Sequence, residues 1–345
     1  MHIPENYLSP STCAVMGAVM VPVWRLTIQK MKEEVPKEKM PLVGIGAAFV
    51  FLGMMFNVPL PGGTTGHAVG GTLLAILLGP YAACLAVSIS LLIQAVLFGD
   101  GGILAFGANA FNMAFVLPFV GYGVYSRLKM YFSSHRGEYI AAAIGAYVGI
   151  NAAALCAAIE FGIQPLLFTD AAGQALYCPY SLVITIPAML MGHLTLFGFA
   201  EAFFTTAVLT YVRRTAPELL DNSRHYAWRK STGKALYGLM GLLICLTPLG
   251  LLAEGTAWGE WDPSELAQLT ESGKALGYIP AGFTEGFSFS AFFPDYSIGA
   301  LPEASSYVLS AVIGAALVII IFKVAASFMK DRFDGPPISR EANVR

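Results

Sequence analysis

The sequence predicts an all-α polytopic membrane protein of about nine transmembrane helices, because a bilayer-spanning helix needs about 20 apolar residues. Of its 345 residues, 56% are hydrophobic and 12% are charged, whereas a soluble domain carries roughly 25% charged residues. Its mean hydropathy is +0.64. The low charge content and the net charge of -2 also exclude disordered and nucleic-acid-binding proteins.

Long apolar stretches separated by short polar loops indicate the helices. The predicted spans are 10–29, 40–56, 66–79, 81–97, 107–126, 138–161, 181–212, 235–253 and 305–329. The third is short, and Gly79-Pro80 separates it from the fourth by a tight turn. Such a pattern is typical of a helical hairpin or a partly re-entrant pair. No basic segment precedes the first span, so we expect no cleavable signal peptide.

Basic residues set the orientation of the spans, because basic loops stay in the cytoplasm. They cluster after the first, fifth, seventh and last spans, which a nine-span topology places on one side. They are Lys30, Lys32, Lys37, Lys39, Arg127, Lys129, Arg136, Arg213, Arg214, Arg224, Arg229, Lys230, Lys234, Lys330, Arg332, Arg340 and Arg345. In the opposite loops the only basic residue is Lys274, and the segment 254–304 is rich in acidic residues. We therefore predict an N-terminus outside and a C-terminus inside.

The same pattern divides the chain into three parts. Residues 1–212 form a core of seven helices, 213–234 a basic cytoplasmic linker, and 235–345 a region of two helices around the extracytoplasmic loop 254–304. The five cysteines lack CxxC spacing and predict no disulfide framework.

Two histidines on the outer side indicate a metal site. His2 follows the initiator Met1, so the terminal amine, the His2 backbone nitrogen and its imidazole can close adjacent chelate rings around one ion. Three nitrogens in a plane suit Ni²⁺ or Cu²⁺. His67, in a glycine-rich outer loop, could supply a fourth nitrogen. The alternatives are a solvated His2 and a His67 that caps the third helix or fills a polar gap.

Three polar residues lie in or beside another outer loop. Asp100 stands between glycines, where it either orients an imidazole and latches the loop or simply forms a turn. Asn109 and Asn112 stand near the outer start of the fifth span, where we expect them to tie down the loop or cap the helix.

Glu160, His193 and Glu201 fall inside predicted spans, where an ionisable residue is a functional hypothesis by default. A second metal site on an exit path is one interpretation, but two helical turns separate His193 from Glu201, too far to share an ion. Hydrogen bonding between helices is the interpretation that we favour. Ala14 and Ala18, at i and i+4 on the first span, would let another helix approach closely.

Three separated motifs occur in the order found in one known family. The chain begins Met1-His2-Ile3-Pro4, continues through Gly62-Gly63-Thr64-Thr65-Gly66-His67, and has Phe98-Gly99-Asp100-Gly101-Gly102 leading into Gly107-Ala108-Asn109-Ala110-Phe111-Asn112-Met113. Over about residues 1–212 it thereby resembles the substrate-specific membrane component of cobalt/nickel energy-coupling factor transporters. Residues 235–329 resemble, mainly in layout, the small two-span partner subunit of these systems in fused form.

The resemblance implies a metal held by Met1, His2 and His67, and a surface around Ala14 and Ala18 that docks on a scaffold subunit. It implies uptake of Co²⁺ or Ni²⁺ across the cytoplasmic membrane, for cobalamin or nickel enzymes, with no bound organic cofactor. The family's usual start continues with Met-Glu-Gly, where this chain has Pro4-Glu5-Asn6.

The sequence argues against other classes of function. Gly233-Lys234 lacks the remainder of a GxxxxGK[ST] phosphate loop, so ATP hydrolysis is expected in separate ABC-type ATPase chains. A self-sufficient ion-coupled transporter, the alternative, typically shows inverted repeats, and none is convincing here. An intramembrane metallohydrolase would need a motif such as HExxH, which is absent. The choice between Ni²⁺ and Co²⁺ stays open.

Overall fold

The computed structural model describes residues 1–60, 64–132, 134–220, 230–253, 255–268, 270–271 and 274–329, and these residues are predominantly helical. The helices are α1 (Pro10–Glu34), α2 (Met40–Met54), α3 (Gly71–Leu78), α4 (Pro80–Ile93), α5 (Phe106–Asn109), α6 (Leu117–Tyr131), α7 (His135–Gly162), α8 (Gln164–Leu167), α9 (Leu182–Gly192), α10 (Gly198–Thr215), α11 (Lys230–Leu246), α12 (Pro263–Leu266), α13 (Ala281–Glu285) and α14 (Glu303–Ser327). Short 3₁₀ turns occupy Lys37–Lys39, Pro217–Leu219, Thr247–Leu252 and Pro294–Tyr296.

The prediction of an all-α polytopic membrane protein is confirmed. Within the described residues, six helical segments are long and apolar enough to cross a bilayer. They are Pro10–Glu34, Pro80–Phe98, His135–Leu167, Leu182–Thr215, Thr232–Leu252 and Glu303–Ser327. The full number of spans and their orientation stay predictions.

The predicted third span starts too early. Helix α3 begins at Gly71, because Thr64–Gly66 (β2) pairs instead with Val58–Leu60 (β1) in an antiparallel hairpin, and Gly70 has a φ of +80° that no helix accommodates. The expected tight turn after α3 is present, with Gly79 at φ +88° and Pro80 opening α4. The hairpin places His67 one residue beyond β2, at the start of an irregular segment.

Three helices contain π-helical segments, a feature that often accompanies functional sites. Gln94–Phe98 ends α4 just before Asp100, Ala110–Val116 joins α5 to α6 just after Asn109, and His193–Phe197 joins α9 to α10. Each segment therefore adjoins a polar residue singled out in the sequence.

Helix α2 lies in the interior, and α14 packs along it. A Cβ atom on Gly44 of α2 would lie 3.0 Å from Phe322 Cβ, and one on Gly314 of α14 would overlap the ring of Phe51. Such small residues let helices approach closely where no water competes. The C-terminal helix thus packs against the interior of the first 212 residues.

The first residues of the chain are buried rather than solvated. Met1, His2 and Ile3 are at most 5% exposed, although they precede the first helix. Buried backbone groups need hydrogen-bond partners. Here Gly102 N donates to the Ile3 carbonyl, Ser9 N donates to Gln164 Oε1, and the Ser9 hydroxyl caps α1. The N-terminal segment therefore threads between loops of the protein.

Candidate metal centre

His2 and His67 meet at the end of the buried N-terminal segment. His2 Nδ1 lies 3.3 Å from His67 Nε2, and the ring centroids are 5.0 Å apart. His2 is 3% exposed, which excludes the solvated terminal histidine considered as an alternative. The two histidines that the sequence singled out are therefore brought together.

The tautomer of His67 is fixed by its surroundings. Its Nδ1 lies 3.2 Å from the Ala68 carbonyl oxygen. A carbonyl only accepts, so Nδ1 carries the proton and Nε2 presents a lone pair towards His2. Burial, together with the nearby His2 and terminal amine, lowers the pKa of His67 well below its usual value. The imidazole is thus neutral, as a metal ligand must be.

Glu201 of α10 anchors the segment that follows His67. Its carboxylate accepts hydrogen bonds from Val69 N at 2.6 Å and Gly70 N at 2.9 Å. Gly70 is the N-cap of α3, where a negative charge is favoured by unpaired N–H groups and the helix dipole. The expected hydrogen bond between helices is thus wrong for Glu201, which binds the backbone of a loop instead. Because this loop follows His67, Glu201 bears indirectly on the position of His67.

Asp100 contacts the same ring nitrogen of His2 that faces His67. Its Oδ1 lies 3.0 Å from His2 Nδ1, and its Oδ2 accepts a hydrogen bond from the Tyr296 hydroxyl at 2.6 Å. Burial raises the pKa of Asp100, but the charge and hydrogen bond of His2 and the Tyr296 hydroxyl outweigh burial and hold that pKa well below its usual range. Asp100 thus orients an imidazole, which favours that interpretation over a simple turn former.

The terminal amine of Met1 lies beside Glu260. The amine nitrogen is 3.0 Å from Glu260 Oε1, and the Met1 side chain is 2% exposed. A cavity of about 20 Å³ adjoins Met1 and is also lined by His193 and Trp258. His193 Nδ1 donates to the Met189 carbonyl in its own helix, at 2.7 Å. His193 therefore lines the cavity next to the amine but bonds within its own span, not between helices.

Asn109 clamps the backbone of Ile3. Its Oδ1 accepts from Ile3 N at 2.8 Å, and its Nδ2 donates to Ile3 O at 3.0 Å. It ties down the N-terminal segment rather than its own loop, and it does not cap α5, whose N-cap is Ala105.

We expect Asn109→Leu to weaken metal binding by about 10- to 100-fold although every ligand atom is retained. The change leaves the buried Ile3 N–H without its partner, whereas the Ile3 carbonyl keeps the hydrogen bond from Gly102. One unpaired buried group costs about 1–3 kcal/mol, and about 1.4 kcal/mol corresponds to tenfold in affinity. Calorimetric titration with Ni²⁺ measures the effect. Asn151→Leu is the matched control, because Asn151 donates only to Tyr147 O within α7. Equal affinities for the two variants would contradict the clamp.

Asn112 does not order a loop or cap a helix as predicted. Its Nδ2 donates instead to Glu160 Oε2 at 2.7 Å, joining the segment after α5 to α7. The π-helical turn directs Asn112 inward, where it is fully buried. For Glu160, this bond is the helix–helix hydrogen bond that we favoured.

Ala14 and Ala18 lie on the face of α1 that is turned away from the rest of the protein. Both are exposed, and a Cβ on the neighbouring Gly17 would have no atom within 4 Å among the described residues. Their contact with a scaffold subunit stays a prediction.

Sequence reasoning missed several residues that support the site. Glu5 accepts hydrogen bonds from the backbone of Ile103 and Leu104, which fixes the loop after Asp100. Tyr296 and Glu260 come from the C-terminal region, far away in the chain. The only signal for Glu260 was the acidity of loop 254–304, which does not distinguish it from its neighbours.

The donors present are mainly nitrogen atoms. Within the described ranges, no group of three or more His, Cys, Asp or Glu side chains is arranged to hold a metal. Two imidazoles alone leave half of a four-coordinate site unfilled. The terminal amine and the backbone nitrogen of His2 are the adjacent groups that can complete it, and planar nitrogen coordination suits Ni²⁺ or Cu²⁺.

Comparison with known families matches both parts of the chain. Residues 2–219 match the family described as cobalt uptake substrate-specific transmembrane region, and residues 232–331 match the PDGLE domain.

Two curated relatives match over nearly their whole length. The chain is 50% identical over 325 residues to the probable fused nickel transport protein LarMN of Lactiplantibacillus plantarum, covering 94% of this chain and 97% of the relative. It is 46% identical over 331 residues to the fused nickel transport protein NikMN of Rhodobacter capsulatus, covering 92% and 95%.

A solved structure resembles the first part of the chain. It is described as a truncated transition metal transporter, and it superposes with a TM-score of 0.59 at 56% sequence identity. The match covers 62% of this chain and 99% of the solved one.

Proposed function

This chain belongs to the family of the cobalt uptake substrate-specific transmembrane region, and two relatives that match over nearly their whole length are named nickel transport proteins. We propose that it captures Ni²⁺ at a four-nitrogen site. The donors are the Met1 amine, the His2 backbone nitrogen, His2 Nδ1 and His67 Nε2. The family assignment makes the chain a transport protein and not an enzyme. The site itself is our proposal.

The approach of the two imidazoles carries the proposal. Two nitrogens at adjacent corners of a square lie about 3 Å apart when each metal–nitrogen bond is about 2 Å long. His2 Nδ1 and His67 Nε2 are 3.3 Å apart, and His67 Nε2 has its lone pair free. The amine and the backbone nitrogen belong to the same short chelating segment and need no further residue.

The charges around the site suit a divalent cation. An ion held by the deprotonated His2 amide keeps one uncompensated positive charge, and burying such a charge is costly. The Asp100 carboxylate, 3.0 Å from His2 Nδ1, supplies one negative charge. Glu260, at 3.0 Å from the amine, must exchange its ammonium partner for a neutral amine when the metal binds.

Nickel is the ion that we propose, for two reasons. The two relatives that match over the full length are named nickel transport proteins, and a square of nitrogens suits Ni²⁺ better than ions that prefer other geometries. Titration of the purified full chain with Ni²⁺, Co²⁺ and Cu²⁺ in turn tests this choice. Co²⁺ binding more tightly than Ni²⁺ would contradict it.

Protons should compete with the metal. We expect nickel affinity to fall between pH 8 and pH 6, because the terminal amine must be unprotonated and the His2 amide must lose its proton. His67 adds little to this fall, since burial lowers the pKa of its imidazole and keeps it neutral as the pH drops. Calorimetry in buffers of different ionisation enthalpy measures the protons released. Binding without proton release would contradict coordination by the amide nitrogen.

Transport itself requires an energy source outside this chain. We propose that the protein works in the cytoplasmic membrane with an energy-coupling factor scaffold and ABC-type ATPases, and that the exposed face around Ala14 and Ala18 docks on the scaffold. Nickel uptake by cells that express the chain with and without these subunits tests the requirement. Full concentrative uptake by the chain alone would favour the ion-coupled alternative.

The division of the chain and its orientation belong to the same proposal. We assign capture to residues 1–212, place residues 213–234 in the cytoplasm, and assign 235–345 to a C-terminal region whose loop 254–304 faces outward. Residues 61–63, 133, 221–229, 254, 269, 272–273 and 330–345 lie outside the described residues; they include Gly62, Gly63, Arg224, Arg229, Lys330, Arg332, Arg340 and Arg345. Labelling of single cysteines placed in each loop tests the orientation.

A further inference from the structure

The C-terminal region reaches the proposed nickel site through Tyr296. The Tyr296 hydroxyl donates to Asp100 Oδ2 at 2.6 Å, and Asp100 Oδ1 lies 3.0 Å from His2 Nδ1. A continuous line of polar contacts therefore runs from residue 296 to a proposed ligand. Nothing in the chemistry of uptake requires that a residue so far along the sequence should take part.

A hydrogen bond from Gln94 fixes the direction in which the Tyr296 hydroxyl donates its proton. Gln94 Nε2 donates to the Tyr296 oxygen at 3.2 Å, so the hydroxyl proton is directed to the carboxylate. Tyr296 is 8% exposed, and Gln94 is fully buried. Burial and the negative charge of Asp100 raise the pKa of Tyr296 well above its usual value. Tyr296 thus remains a proton donor at any physiological pH.

The backbone around Tyr296 is held in an unfavourable conformation. Asp295 has a φ of 52° and Tyr296 a φ of 59°, the left-handed region that non-glycine residues rarely adopt. Such residues persist only where surrounding contacts determine them, and they cluster at functional sites. Ser310 of α14 contributes by donating to the Tyr296 carbonyl at 2.8 Å. The turn directs a bulky aromatic side chain inward, against the ring of Phe98 at 4.7 Å.

We propose that Tyr296 is a positioning residue of the nickel site: its hydroxyl fixes the Asp100 carboxylate. The carboxylate holds the ring of His2 through Nδ1 until nickel replaces the Nδ1 proton, and it then stays beside the bound ion as a counter-charge. The inference deepens the proposed function and rests on it. It gives the C-terminal region a part in metal capture. Among the described residues, the Gln94 amide, at 3.5 Å, is the one other side chain that donates to Asp100 Oδ2. Residues that support metal ligands from outside the coordination shell typically contribute about 10- to 100-fold to metal affinity.

The test compares two buried tyrosines in the full-length chain. Tyr296→Phe removes the hydroxyl that contacts Asp100, whereas Tyr307→Phe removes one that donates to Met55 O at 2.9 Å. The two rings lie 5.3 Å apart, so both changes delete one buried hydroxyl in the same surroundings. We expect Tyr296→Phe to weaken Ni²⁺ binding by about 10-fold or more, and Tyr307→Phe to stay within about twofold of the unchanged chain. Unfolding temperatures of the metal-free variants measure the purely structural cost.

A double-mutant cycle separates positioning from packing. In an Asp100→Ala background the line to His2 is already cut, so Tyr296→Phe should change nickel affinity by no more than about twofold. An equal loss with and without Asp100, or equal affinities for Tyr296→Phe and Tyr307→Phe, would overturn the role of Tyr296. An unchanged chain that binds no Ni²⁺ would instead overturn the proposed function.

Discussion

Replacing His67 by alanine should abolish tight nickel binding while leaving the helices in place. His67 Nε2 lies 3.3 Å from His2 Nδ1, and it is the one proposed donor that does not belong to the N-terminal segment. Within the described part of the chain, its ring makes one other hydrogen bond, to the Ala68 carbonyl next to it. Residues that merely orient ligands typically contribute about 10- to 100-fold to affinity, so loss of a ligand should exceed about 100-fold.

Titration of the purified variant with Ni²⁺ measures this effect, and the unfolding temperature of the metal-free protein checks the fold. His135→Ala is the control, because it also removes an imidazole but at the start of α7, where His135 contacts Arg213. Glu201→Gln offers an intermediate case, since it weakens only the anchor at Val69 and Gly70. Unchanged affinity in His67→Ala would rule out this histidine as a ligand.

Adding a single residue before Met1 should remove nickel binding as completely as loss of His67. The extension converts the terminal amine into a peptide nitrogen, which is a poor donor and cannot pair with Glu260 as an ammonium group. Space is also lacking, because Met1 is 5% exposed and the adjoining cavity of about 20 Å³ holds about one water molecule. The helices remain free to form, so we expect normal insertion into the membrane.

Calorimetry on the extended chain, with its extra residue verified by mass spectrometry, tests this expectation. A tag of the same length after Arg345 is the control and should leave affinity unchanged. Retention of tight binding by the extended protein would show that the amine is not a ligand, even if His67→Ala behaves as expected.

The sequence predicted that His2 and His67 lie together, but not the residues that support them. Each histidine alone has an ordinary structural explanation, but the predicted topology places His2 and His67 on the same side of the membrane, and together they indicate a metal site. Asp100 was found for a similar reason. Asn109 was assigned to loop ordering, although its actual partner, the backbone of Ile3, is 106 residues away.

Longer-range contacts could not be predicted because no local pattern carries them. Tyr296 lies 196 residues from Asp100, and Glu201 lies 132 residues from Val69. Periodicity shows which residues share a helix, but not which loop meets which helix end. The start of α3 was misplaced for a related reason: Thr64, Thr65 and Gly66 extend an apolar run, yet pairing with Val58–Leu60 holds them in a strand.

The burial of the amine beside Glu260 has a consequence for biosynthesis. Met1 leaves the ribosome first, but Glu260 is 259 residues behind it. At about 5–20 residues per second, translation needs roughly 13–50 s to supply that partner. During this interval the Glu260 carboxylate that pairs with the Met1 amine has not been synthesised. The N-terminus therefore stays accessible, and a deformylase can reach a formylated Met1. Once Glu260 has been synthesised, the N-terminus becomes buried beside it, and a formyl group still present would then be protected from removal. If Met1 is formylated at synthesis, the order of synthesis thereby limits the time for freeing the amine. Cells whose deformylase is slowed should then yield a smaller fraction of protein that binds nickel.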